Sequence, residues 1–239
     1  MTTALPLPKL YDDTVDAVDR ADRHIRLTLA NSESPAVTCS MQLGGLVLLH
    51  LLVAHDPDID VIFVDTGYHF PETIEFLDML VDRWDLNLTV TSPPTSVGEH
   101  EAEYGKQHAL DPARCCELRK VWPADEALSR HDLWFTAVRT EQAGTRRHLE
   151  LTEVHQLLTG ESINKANPLR DWAWVNVETY AAENDIPRHP LYERGYTSIG
   201  CAPCTVPTFG LGDDRSGRWA DVQGRTECGL HVGRSHRTN

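Results

Sequence analysis

Residues 59–72, Ile-Asp-Val-Ile-Phe-Val-Asp-Thr-Gly-Tyr-His-Phe-Pro-Glu, pass from an apolar, β-branched run to a polar turn and then to a helix start. The run 59–64 reads as a strand. Asp65-Thr66-Gly67 closes it. Pro71 suits a first helical turn, so a helix is predicted from there to about Trp84. Upstream, Asp56-Pro57-Asp58 is a turn, 46–55 reads as a helix, 41–45 as a loop and 36–40 as a short buried strand. Downstream, 86–90 reads as a further strand, ended by Pro93-Pro94. Strand, helix, strand, helix, strand is the signature of an α/β fold: a parallel sheet with helices on both faces. In such sheets ligands sit beyond the carboxyl ends of the strands. The segments 40–45 and 65–69 both fall there and are predicted to line one pocket.

Residues 12–30 have Val15, Val18, Ala21 and Ile25 at helical spacing, predicting an amphipathic helix in a peripheral layer or a homo-oligomer contact. Residues 99–130 read as helical, with Cys115-Cys116 near a helix start after Asp111-Pro112. A fourth strand is expected over 134–138, ending at Arg139. The polar segment 140–149, with Gly144, Arg146 and Arg147, is expected to be a mobile loop over the pocket. A further helix lies within 171–184, and the chain is loop-rich after Pro187. There is no internal repeat and no linker. The expectation is one domain over 1–239, with 220–239 as a mobile C-terminal tail.

The chain has 239 residues, 41% hydrophobic, with a formal net charge of -14. That charge argues against general binding to nucleic acid or an anionic membrane. An anionic substrate needs a local cluster of cations. The N-terminus lacks the basic start and apolar run of a signal peptide. The most apolar run, 46–54, is too short to span a bilayer. The expected location is the cytoplasm, where the six cysteines are better explained as metal ligands or reactive thiols than as disulfides.

Cys201 and Cys204 form a C-x-x-C clamp, compatible with a zinc site, a redox pair or an iron–sulfur site. The doublet Cys115-Cys116 narrows this choice. Adjacent thiolates are awkward around one small ion, whereas a multi-iron cluster offers separate corners. Arg114, Glu117, Arg119 and Lys120 make the doublet's surroundings too charged for a core. Cys39, in an apolar strand, reads as a core residue. Cys228 stands apart, inside Glu227-Cys228-Gly229-Leu230-His231. A nucleophilic thiol needs access and a cationic setting, which His231 and Arg225 are expected to supply. On these residues alone an inert tail thiol is an equal alternative.

Asp214-Arg215-Ser216-Gly217-Arg218-Trp219 places two guanidinium groups around a glycine, matched to sulfate or phosphate oxygens. Lys120 and Arg139 are expected to converge on the same place. The turn Ser40-Met41-Gln42-Leu43-Gly44-Gly45 precedes a helix and offers backbone N–H groups to a phosphate, although it matches no standard glycine motif.

The series Cys-Cys-x-x-Arg-Lys, Arg-x-Glu-Gln, Asn-Pro-Leu-x-x-Trp, Gly-Tyr-x-Ser-Ile-Gly-Cys-x-x-Cys-Thr, Arg-x-Gly-Arg-Trp and Glu-Cys-Gly-Leu-His, with Val64 to Thr73 before it, resembles the assimilatory adenylyl-sulfate (APS) reductases, which group with the PAPS reductases. The resemblance implies an adenine-nucleotide hydrolase-like α/β fold. It implies a [4Fe-4S] cluster on Cys115, Cys116, Cys201 and Cys204, with Lys120 between cluster and substrate. It also implies Cys228 as nucleophile with His231 beside it, and Arg139, Arg215 and Arg218 on the phosphosulfate. Ser40, Gly44, Gly45, Asp65, Thr66 and Gly67 would hold the adenosine side. The implied reaction is reduction of adenosine 5′-phosphosulfate to sulfite and AMP in sulfate assimilation, through a cysteine thiosulfonate, with a thioredoxin or glutaredoxin as donor.

The chain departs from the family pattern at Leu43-Gly44-Gly45. It also carries Ala137-Val138-Arg139-Thr140 where Gly-Leu-Arg-Arg is usual, one cation fewer beside Arg139. The alternatives are a PAPS reductase, disfavoured by the presence of all four cluster cysteines, and a zinc-bound, non-redox nucleotide-binding sulfur-transfer protein.

Overall fold

The computed structural model describes residues 9–211, 215–220, 222 and 227–231. Helix α1, Lys9–Leu29, buries Ala17, Ala21 and Ile25, one stripe at a spacing of four. Strand β1, Pro35–Thr38, leads to helix α2, Leu43–Val53. Strand β2, Asp60–Val64, leads to helix α3, Pro71–Trp84. Pro71 opens α3 as its composition predicts, and Asp85 closes it in the left-handed region at φ 49°. Strand β3 is Leu88–Thr91. The predicted helical stretch 99–130 is divided into α4, Val97–Tyr104, α5, Gln107–Leu110, α6, Pro112–Cys116, a π-helical turn at Glu117–Val121, and α7, Trp122–Leu128. Strand β4 is short, Leu133–Phe135. Strands β5, Thr152–Gln156, and β6, Ser162–Ala166, form a hairpin, and helix α8, Trp174–Glu183, follows. Beyond it the chain is irregular apart from 3-10 turns at Pro190–Arg194 and Ala202–Cys204.

The six strands form one sheet in the order β3-β2-β1-β4-β6-β5. All neighbours are parallel except β5, which runs antiparallel to β6. The period of two along each strand sends alternate residues to opposite faces. Val37, Val61, Phe63, Leu133 and Phe135 pack into one core with residues of α1, α2, α3 and α8. Ala36, Ile62, Val64 and Trp134 pack into the other, with Ala124 and Leu128 of α7. Trp219, Cys228 and Leu230 complete that second core, so the C-terminal segment fills space on this face that a helix would otherwise cover.

Helix α2 buries Leu43, Leu46, Val47, Leu48, Leu49, Leu51 and Leu52, which explains its unbroken apolar sequence. It begins at Leu43, so Gly44 and Gly45 lie in its first turn and the preceding loop is shorter than its sequence suggests. Among the described residues no helix is long and apolar enough to cross a membrane.

Candidate active site at the carboxyl ends of the strands

Strand order reverses between β1 and β4, and a cleft opens at the carboxyl ends there, where α/β sheets bind ligands. Its wall includes Ser40, Gly44 and Gly45 from the β1–α2 turn, Thr66 after β2, Arg139 after β4, and Lys120, Arg215, Arg218, Cys228 and His231. The structure therefore brings most of the predicted site residues together from six separate parts of the chain. Asp65 and Gly67 do not line the cleft. The Asp65 carboxylate accepts the Gly67 N–H at 2.8 Å, and Gly67 holds φ +75° where a Cβ would lie 2.8 Å from Val97 Cγ2. They shape the turn that presents Thr66. Arg225 and Asp214, and most of the predicted tail, lie outside the described residues.

Arg139 and Arg218 are held by identifiable partners. Arg139 is fully buried; its Nη1 donates to Glu141 at 3.0 Å and to the Trp172 carbonyl at 3.2 Å, and its guanidinium stands 5.3 Å from the Trp174 ring centre. The Asn-Pro-Leu-x-x-Trp segment thus sets the arginine's orientation through its last residue. Thr140, beside it, donates its hydroxyl to the Arg170 carbonyl at 3.1 Å. A cation that sequence reasoning assigned only to a covering loop, Arg146, lines the same cleft and is buried. Arg218 donates to the Ile199 carbonyl at 3.3 Å and lies 4.6 Å from the Trp219 ring centre.

Gln42 joins the β1–α2 turn to the C-x-x-C stretch. Its Oε1 accepts the Ile199 N–H at 2.9 Å and the Ser198 hydroxyl at 3.3 Å, while its Nε2 donates to Ser40 at 3.2 Å. The Leu43 N–H donates to the Tyr192 hydroxyl at 3.2 Å, tying the start of α2 to the same module. Gln42 and Tyr192 both line the cleft. Nothing in the sequence marks their pairing, because the partners are about 150 residues apart.

Beside the cleft lies a second, smaller cavity lined by Cys115, Cys116, Cys201 and Cys204. The turn at 117–121 follows directly on Cys116, and Arg119 and Lys120 within it both face this cavity. Arg119 is buried, donating to the Thr66 carbonyl at 2.8 Å and the Thr95 carbonyl at 3.1 Å. Thr66 Oγ1 and Cys201 Sγ are hydrogen-bonded at 3.3 Å. Thr66, Lys120, Cys201, Arg218 and Cys228 line both cavities and form the partition between them.

None of the six cysteines is in a disulfide. Burial first, then the neighbouring sulfurs of Cys116, Cys201 and Cys204, push the Cys115 thiol up to about 12. Such thiols ionise together only when a cationic centre binds them. Among the described residues no group of three or more His, Cys, Asp or Glu side chains is arranged to hold a single ion. Four sulfurs around a cavity suit a larger inorganic group, so the donor set fits an iron–sulfur cluster.

Cys228 is buried yet faces both cavities. Burial pushes its thiol up. Lys120, the Leu230 backbone N–H, Arg215 and Arg218 together outweigh burial and hold it below the usual thiol value. His231 does not contribute to that field. Burial, then Lys165, Arg146 and Lys120, hold it neutral, well below the ordinary histidine range. Its ring instead stacks on Trp134, 5.5 Å between centres and 19° between planes. The cationic setting expected from His231 is supplied by Lys120 and the arginines. Cys39 is buried and its thiol is pushed to about 12, consistent with a core residue.

The model of the phosphoadenosine phosphosulfate reductase domain matches residues 34–207. A Geobacillus kaustophilus protein named adenosine 5′-phosphosulfate reductase is 41% identical over 81% of this chain and 82% of its own length. A Bacillus subtilis protein named adenosine 5′-phosphosulfate reductase 1 is 38% identical over 81% of this chain and 82% of its own. Among solved structures, Candida auris phosphoadenylyl-sulfate (PAPS) reductase superposes with a TM-score of 0.68 at 26% identity, covering 84% of this chain and 99% of that one. Candida glabrata FMN adenylyltransferase shares the fold alone, with a TM-score of 0.65 at 15% identity over 86% of this chain and 69% of its own. The extent of the domain match and the similarity of the relatives show that the chain belongs to the phosphoadenosine phosphosulfate reductase domain family of oxidoreductases.

Proposed function

We propose that this protein reduces adenosine 5′-phosphosulfate to sulfite and AMP, with Cys228 as nucleophile and a thioredoxin or glutaredoxin as electron donor. The observation that carries the reading is the partition: Cys228, Lys120 and Arg218 stand between a cation-lined cleft and a four-thiol cavity. A thiolate attacking a phosphosulfate brings two negative charges together. At ~4 Å and an effective dielectric of ~20 the repulsion is about 4 kcal/mol. Lys120, Arg215 and Arg218 offset it and also favour the thiolate.

The thiolate of Cys228 attacks the sulfate sulfur. The bond from that sulfur to the phosphate oxygen breaks, and AMP leaves with the electron pair. The product on the enzyme is Cys228-S-SO3. A donor thiolate then attacks the Cys228 sulfur and expels sulfite. The donor's second thiol resolves the mixed disulfide, restoring Cys228 and leaving the donor oxidised. The neutral His231 imidazole, stacked on Trp134, anchors the segment that bears the thiol.

Cys115, Cys116, Cys201 and Cys204 would hold a [4Fe-4S] group. Bound, it would fix the partition and supply a compact charge beside Lys120. The adenosine side is assigned to Ser40, Gly44, Gly45 and Thr66 in the cleft wall, with Asp65 and Gly67 holding the turn.

Two features favour the substrate without a 3′-phosphate: the relatives named for APS are more similar than the solved structure named for PAPS, and all four cysteines line one cavity. Sulfite release by anaerobically purified protein, given each nucleotide with thioredoxin, tests the choice. A preference for PAPS contradicts it. A colourless protein containing only zinc supports instead a non-redox sulfur-transfer role.

A further inference from the structure

Glu227 directly precedes Cys228 and reaches across the cleft to the loop after β4. Its Oε1 accepts from Arg146 Nε at 2.6 Å and its Oε2 from Arg146 Nη2 at 2.9 Å. This is a fork-to-fork pair, the geometry that fixes orientation as well as charge. Both side chains are only 9% exposed. Arg146 is itself oriented from the rigid end of β4. Its Nη1 donates to Gln142 Oε1, which also accepts the Arg139 N–H at 3.0 Å. Arg215 stands at 3.6 Å from Glu227 Oε2, a looser contact.

We propose that the Glu227–Arg146 pair is a latch that seats the Cys228 segment in the cleft before substrate arrives, making Glu227 and Arg146 positioning residues for the nucleophile. The bidentate Arg146 pair, with Thr145 Oγ1 donating to Glu227 Oε1 at 3.5 Å, ties the residue next to the nucleophile to a loop anchored on β4 and so fixes where the thiol stands. The same carboxylate faces Arg215 in the anion clamp at the longer distance, so of its two arginines Arg215 is the one Glu227 gives up more readily to an arriving phosphosulfate. The latch stays closed on one arginine while the other turns to substrate. This inference rests on the assignment of Cys228 as nucleophile.

The test uses full-length protein with its metal centre intact and reads alkylation of Cys228 by iodoacetamide, peptide by peptide, across pH. The plateau rate at high pH reports accessibility, separately from thiol ionisation. Opening a largely buried ion pair predicts that Glu227→Gln raises the plateau rate by about tenfold or more. Arg146→Gln, on the other side of the latch, should do the same, and the double variant should add little to either. Glu227→Asp keeps the charge on a shorter arm and should recover part of the wild-type protection. Cys39, buried and hard to ionise, must remain unlabelled, which excludes general unfolding as the cause. Turnover should show a lowered kcat with a KM for the nucleotide that is unchanged or lower.

Wild-type plateau rates in both single variants overturn the latch, as does a double variant whose effect is the product of the singles. Alkylation needs no nucleotide. A protein that fails to reduce APS but shows the predicted plateau rates therefore refutes the reaction and not the latch.

Discussion

The Arg218 guanidinium occupies the space where a side chain on Gly200 would stand: a Cβ there would lie 2.2 Å from Arg218 Cζ. The glycine before Cys201 is thus the opening through which Arg218 reaches the partition between the cavities. Gly200→Ala should displace Arg218 while leaving all four cysteines in sequence. The expected result is a fall in kcat/KM on the order of 10–100-fold, with the visible absorbance of the proposed metal centre retained. Steady-state kinetics on a preparation of unchanged colour measure it. Unchanged kinetics would show that Arg218 is dispensable in that position.

Cys228 and the four clustered cysteines should separate cleanly by mutation. Cys228→Ser removes the proposed nucleophile by a near-isosteric change and leaves all four clustered cysteines in place, so turnover should drop by on the order of a thousandfold or more, with colour and nucleotide binding preserved. Cys201→Ser should bleach the protein and lower its thermal midpoint, because it removes a ligand of the proposed metal centre, whose binding free energy adds to the folding free energy. Absorbance, nucleotide binding and melting curves on the two variants distinguish these roles.

The Cys228 thiol is held below its ordinary value chiefly by Lys120 against the opposing effect of burial. Alkylation of Cys228 should therefore follow a pH profile whose midpoint lies below that of an ordinary cysteine. Lys120→Ala should move the midpoint upward, and lower kcat/KM by roughly 100–1000-fold, as for loss of a preorganised charge. A midpoint that does not move in this variant would assign the thiolate field to the Leu230 N–H and the arginines.

His189 is buried against Phe76, accepts the Leu191 N–H at its Nδ1 at 3.2 Å, and pairs through Nε2 with Thr73 at 3.0 Å. Burial lowers it from 6.5 to about 4. The unfolded chain binds a proton there that the folded chain refuses, so stability is lost as pH falls from about 6.5 towards about 4. The expected contribution is roughly 1–2 kcal/mol after allowing for solvent screening. Urea melts across this range should show a weaker pH dependence in His189→Gln than in the wild type.

The parallel core of the fold was legible because its signals are local. Residues 59–64 are apolar throughout and Pro71 sits where a helix can begin, and both appear as β2 and α3. The β5–β6 hairpin was not legible. Its strands, Thr-Glu-Val-His-Gln and Ser-Ile-Asn-Lys-Ala, are mostly polar, and their pattern makes sense only once Lys165 is seen buried on Glu153 at 2.7 Å. Gly160, at φ +103°, was the one local turn signal between them. At the site, the four clustered cysteines and the Arg215/Arg218 pair stood out by type and spacing, whereas Cys228 stood out only through the family resemblance. Gln42, Gln142 and Arg146 did not stand out, because each acts by holding a partner that only the folded chain brings near. The neutrality of His231 belongs to the same class, since it follows from burial among Lys165, Arg146 and Lys120.

The central claim is that Cys228 carries the sulfur of the substrate between two half-reactions. Anaerobic protein should be mixed with APS in the absence of any thiol donor, and the Cys228 peptide weighed. The account predicts one AMP released per active site and the mass of one SO3 on Cys228, which thioredoxin then discharges as sulfite. AMP release with Cys228 unmodified, or sulfite formed at the wild-type rate by Cys228→Ser, would contradict it.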